Sequence, residues 1–201
     1  TSLLGYAAKR NSVECARVLI ANGADIDDRA SENHPALYKA VLKKNTQFVD
    51  LLLAAGADPN IRARHNFTPL YTASYTDEYY DIARLLIQYG ADVNAACRDG
   101  SALTNAITCR AQRIARLLLV HNADIHAHHS TFVGAPPIVS PLMESVRANL
   151  TDITRLLLQL GASPYDLSSL GKPVDDLIAN MCEPSIRYDG FGTLDPEHAT
   201  L

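Results

Sequence analysis

The sequence predicts an all-α solenoid built from short helix–turn–helix units, and three observations carry that class. The stretch Thr68 to Asn94, TPLYTASYTDEYYDIARLLIQYGADVN, holds two helical patterns and a turn. That stretch returns along the chain at near-constant spacing. Neither of its helices is long enough to be stable alone, so each must bury an apolar stripe against a neighbouring unit.

The unit is legible residue by residue. Thr68-Pro69-Leu70 supplies a helix start, because Thr accepts from a free backbone N–H and Pro tolerates the first turn. Ile82, Leu85 and Leu86 form the stripe of a second helix at i, i+3, i+4. Gly90 ends it, since a residue without Cβ takes the left-handed conformation there. Ser2, Pro35, Ser101 and Ser140 are the equivalents of Thr68, giving a step of 33 residues three times and 39 once. Leu4, Leu37, Leu70, Leu103 and Leu142 follow two places on. The closing signal returns as Gly23-Ala24-Asp25, Gly56-Ala57-Asp58, Gly90-Ala91-Asp92, Asn122-Ala123-Asp124 and Gly161-Ala162-Ser163.

A repeat of about 33 residues with a T-P-L-H-x-A pattern resembles the ankyrin family. Five registered copies carry the resemblance over residues 1–165, as about 2–34, 35–67, 68–100, 101–139 and 140–165. Residues 166–201 read as a degenerate capping repeat and tail. The resemblance implies an ankyrin-repeat solenoid with hairpin-like loops along one edge. It implies a protein-binding scaffold without catalysis of its own.

Composition sets the outer limits. The 201 residues are 47% hydrophobic, ample for a continuous core, and a net charge of −4 argues against bulk nucleic-acid binding. The apolar runs are far below the ~18 residues of a membrane span. No signal segment opens the chain, which begins inside a repeat, so a larger parent protein is expected. Cys15, Cys97, Cys109 and Cys182 lack metal or redox spacing and read as reduced, buried or half-buried thiols of the cytoplasm or nucleus.

Taken in order, repeat 1 carries Leu3 and Tyr6 where a water-facing end cap would be polar. That pattern fits either a preceding repeat or a sticky edge. Repeat 2 carries Lys39, Lys43 and Lys44. Repeat 3 has one extra residue around Tyr75 to Tyr80 and a hairpin one residue shorter, which keeps the step at 33. The connection His126 to Pro141 is six residues longer than the others and contains Pro136-Pro137, so it is expected to be a stiffened excursion. Lys172-Pro173-Val174, with Asp176 to Ala179, opens the degenerate sixth unit, and Asp195-Pro196-Glu197 starts a short last helix.

No nucleophile elbow, phosphate loop or zinc-protease motif appears, so no enzyme, cofactor or small-molecule substrate is expected. His121, His126, His128 and His129 have no third ligand fixed by spacing and read as a solvated hairpin, not a metal site. Asp27-Asp28 is a solvated hairpin pair. Asp25, Asp58, Asp92 and Asp124 recur at one turn position, where they are expected to bond local N–H groups. Asn94, eight residues after Leu86, is similar to the ankyrin-repeat sites of an asparaginyl hydroxylase, against a structural role in the hairpin.

In ankyrin-like proteins the residues just after the first helix face the groove. Here those are Lys9 and Arg10, Leu42 and Lys43, Tyr75 and Thr76, Thr108 and Cys109, and Arg147 and Ala148. Hairpin tips add Glu32, His34, Arg64, His65, Phe67, Arg98 and Asp99. The candidate partner-binding set is therefore Lys9, Arg10, Lys43, Arg64, His65, Phe67, Tyr75, Arg98 and Arg147. Its excess of Lys and Arg in an acidic chain points to an extended, acidic or phosphorylated segment of another protein. The alternative is the substrate-recognition or regulatory part of a larger complex such as a ubiquitin ligase, though residues 166–201 show no clear adaptor box.

Overall fold

The computed structural model describes residues 2–28, 34–63, 66–97, 99–127, 129–130 and 138–163. The chain divides into two compact units, Thr1–Asp124 and Ile125–Leu201. The expected sixth repeat, the last helix and Pro136-Pro137 lie outside the described residues.

In the first unit, four helix pairs follow one another: α1 (Leu3–Arg10) and α2 (Val13–Ala21), α3 (Ala36–Leu42) and α4 (Thr46–Ala54), α5 (Pro69–Ala73) and α6 (Tyr80–Gln88), and α7 (Ala102–Thr108) and α8 (Gln112–Val120). First helices pack on first helices, α1 on α3, α3 on α5 and α5 on α7, and the second helices stack likewise. The second unit holds β1 (His129–Ser130) paired antiparallel with β2 (Ile138–Val139), then α9 (Pro141–Arg147) packed on α10 (Thr151–Gln159).

Short polar side chains start four of the described first helices, and Pro35, which makes no side-chain cap, starts α3. Ser2 accepts from the Gly5 N–H at 3.0 Å, Thr68 from Tyr71 at 3.1 Å, Ser101 from Thr104 at 3.3 Å and Ser140 from Met143 at 3.2 Å. Within four pairs the turn between helices contains a left-handed residue: Asn11, Lys44, Arg110 and Asn149. The third pair has no such residue; its extra position is taken up by a 3-10 turn over Asp77–Tyr79. Second helices close on Gly90 (φ 89°) and its equivalents, and Asn122 (φ 60°) substitutes in the fourth repeat.

The repeated leucines form the spine of each unit. Leu4, Leu37, Leu70, Leu103 and Leu142 are each at most 1% exposed. Ile82 and Leu86 are fully buried as expected, whereas Leu85 is only half-buried, because its side of α6 turns partly to solvent. One second-helix position is buried as Phe48, Ile82 and Ile114 but is exposed as Cys15. The α1–α2 pair packs on the α3–α4 side alone among the described residues, which also leaves Leu3 (72%) and Val18 (62%) open to solvent. Cys109 is exposed as well, so among the described cysteines the expectation of buried or half-buried thiols holds for Cys97 alone, and Cys182 lies outside the described residues.

The aspartates of the closing turns bond local backbone, as their recurrence implies. Asp25 accepts from the Asp27 N–H at 3.1 Å, Asp58 from Asn60 at 2.8 Å and Asp92 from Asn94 at 2.9 Å. The residue two places on then reaches the next repeat. Asn60 donates to the Gly90 carbonyl at 3.1 Å and accepts from the Asp92 N–H at 2.7 Å. Asn94 repeats this clamp on Asn122 and Asp124, at 3.2 and 2.7 Å. Asp27, at the same position, accepts from the Asp58 N–H with both oxygens.

Candidate functional site

Because first helices stack on first helices, the residues that follow them form a row along the first unit. Lys9 and Arg10 end α1, Leu42 and Lys43 end α3, Tyr75 follows α5, and Thr108 and Cys109 end α7; all are exposed. Lys9 and Lys43 make no side-chain hydrogen bond or ion pair with any described residue. Arg10 is engaged within its own helix, its Nε–H donating to the Tyr6 hydroxyl at 3.2 Å and its guanidinium 5.5 Å from the Tyr6 ring centre. Lys44, one residue past the row, pairs with Glu78 and lies 5.2 Å from the Tyr79 ring.

The centre of the row is aromatic. Phe67, in the hairpin before α5, stacks on Tyr71 with ring centres 5.0 Å apart and planes 4° from parallel. Tyr75 meets the same Tyr71 edge-on at 5.9 Å. Phe67 and Tyr75 are thus joined through Tyr71 and are not a pair in direct contact. Tyr71 is buried, and that burial pushes its hydroxyl well above the ordinary tyrosine range, so it stays a neutral donor. Tyr75 is 43% exposed and its hydroxyl is also raised, chiefly by desolvation. In the neighbouring repeat His34 packs on Tyr38 at 5.3 Å. Tyr71, the link between the two rings, is not in the candidate set read from the sequence. The spacing Phe67, Tyr71, Tyr75, one ring every four residues, is the signal that reveals it.

Asp99 lies in the tight turn that Cys97 and Gly100 close with backbone bonds of 3.0 and 3.4 Å. Its charge acts on both Tyr71 and Tyr75. Arg64, His65 and Arg98 lie outside the described residues. Arg147 belongs to the second unit, at the end of α9, where it donates to the buried Glu144 carboxylate at 2.9 Å. Among the described residues no group of three or more His, Cys, Asp or Glu is placed to hold a metal ion, and His128 is outside that set. No helix among them is long and apolar enough to cross a membrane.

A family model described as ankyrin repeats (3 copies) matches residues 1–63 and again 62–129. The chain belongs to the ankyrin-repeat family. Ankyrin repeats are generally protein–protein interaction modules and are typically non-catalytic. That assignment fits a surface whose free groups are amines, a phenol and a carboxylate spread over stacked helix ends. No curated protein matches the chain.

Proposed function

We propose that this ankyrin-repeat chain binds an extended segment of another protein along the row from Lys9 to Tyr75, and that the segment is acidic or phosphorylated beside the lysines. The observation that carries the reading is the contrast between neighbouring cations. Lys44 is neutralised by Glu78 and Arg10 leans on Tyr6, whereas Lys9 and Lys43 are exposed with no described counter-charge. Free amines spaced one repeat apart suit a chain laid across the repeats and steer it by its charge. Affinity comes instead from the aromatic centre, where Tyr75 offers an exposed face on the buried Tyr71. Cross-linking from a photoreactive residue at position 76, followed by mass spectrometry, identifies the segment; acidic or phosphorylated peptides are expected. Recovery of segments that carry no acidic or phosphorylated residue would overturn the reading.

A further inference from the structure

The outer side of the α1–α2 pair is made of positions that the later repeats bury. Leu3 is 72% exposed, whereas its equivalents Ala36, Pro69 and Ala102 are buried. Cys15 is exposed at the position filled by the buried Phe48, Ile82 and Ile114. Ala24 is half-buried where Ala57, Ala91 and Ala123 are buried. Val18, 62% exposed, follows the same trend, since Leu51, Leu85 and Leu117 are half-buried. A repeat that ends a stack in water presents polar residues on its outer side. Here the side is apolar, Cys15 included, because a free thiol behaves as a small hydrophobe.

The backbone of this edge carries the same mark. Each clamp runs from one closing turn to the next: Asp27 accepts from the Asp58 N–H, Asn60 from Asp92 and Asn94 from Asp124. The Asp25 N–H, first in that series, has no acceptor among the described residues, and the Gly23 carbonyl has no donor. A second copy packed face to face on this edge brings the same patch, and its Asp27, Asn60 and Asn94 are already engaged within their own chain. A preceding ankyrin-type helix pair supplies what is missing, because every clamp reaches from a repeat to its successor. We propose that such a pair, encoded in the same polypeptide ahead of Thr1, covers Leu3, Cys15 and Val18. An Asn or Asp of its closing turn then accepts from the Asp25 N–H.

The test is alkylation of Cys15 under native conditions, read by mass spectrometry, in the polypeptide isolated from its own cells and in residues 1–201. Cys109, exposed at the end of α7, is the internal reference. In the natural polypeptide Cys15 is expected to react roughly tenfold more slowly than in 1–201, with Cys109 unchanged. Leu3→Glu should lower the denaturation midpoint of the natural polypeptide and leave that of 1–201 nearly unchanged. Equal Cys15 rates in the two proteins, or equal shifts from Leu3→Glu, overturn the proposal. A natural polypeptide in which no helix pair precedes α1 overturns it too. Protection of Cys15 in 1–201 that grows with protein concentration assigns the edge to a second copy and overturns it as well.

Discussion

The carboxylate of Asp77 caps a helix of the following repeat: its Oδ1 accepts the Ile114 N–H at 3.0 Å. Ile114 is the third residue of α8, where helix N–H groups have no partner within the helix, and α8 has no side-chain cap of its own at Ala111. The extra residue of the third repeat, which forms the 3-10 turn, is what places Asp77 there. Asp77→Ala is therefore expected to lower stability by about 1 kcal/mol in denaturant melts, and Asp77→Asn by less, since the amide oxygen still accepts. Equal losses for the two variants would show that charge, not the cap, is what matters.

The Asn60 clamp makes a second, separable claim. Asn60→Asp keeps the acceptor for the Asp92 N–H but loses the donor to the Gly90 carbonyl and adds a negative charge near Asp92. The expected cost is about 1 kcal/mol, measured by chemical denaturation, and Asn60→Ala should cost at least as much.

How much of this was legible follows from what the spacing encodes. Registered leucines, capping Ser and Thr, and the Gly or Asn that closes each unit are local signals, so Leu4 to Leu142 and their helices could be read directly. The turn aspartates were legible for the same reason, since Asp58 bonds a residue two places away. The Asp77–Ile114 and Asn60–Gly90 bonds join residues 37 and 30 apart, and nothing local marks them. Exposure was the weaker inference. Leu85 sits in an apolar run yet turns half to water, and Cys15 is open because its helix pair has a described neighbour on one side alone. At the site, the exposed Lys43 and Tyr75 follow from register, but pairing does not. That Lys44 is neutralised and its neighbour Lys43 is free depends on Glu78, 34 residues away.

Core substitutions should follow burial and not the run of leucines. Leu86→Ala and Leu118→Ala remove fully buried side chains and are expected to cost about 2–5 kcal/mol each. Leu85→Ala should cost distinctly less in the same melts.

Alkaline pH should weaken the fold through Tyr71. Its folded-state value lies above the ordinary 10.0, so the unfolded chain releases this proton first. The stability it contributes is whole below pH 10.0 and is lost as pH rises from there toward the folded value. Between pH 8 and pH 11 the wild type should therefore lose about 1 kcal/mol more than Tyr71→Phe. Parallel losses in the two proteins would assign the alkaline transition to other groups.

The central claim is that free amines on the first-helix row steer an acidic segment while Tyr75 holds it. The most direct measurement is the association rate of the cross-linked segment, at low and high salt, on wild type, Lys43→Glu and Tyr75→Ala. Lys43→Glu is expected to slow association several-fold at low salt and to flatten its salt dependence, and Tyr75→Ala to act mainly by speeding dissociation. An association rate at low salt that Lys43→Glu leaves unchanged would contradict the account, because the lysine would then be solvated surface that no partner reads.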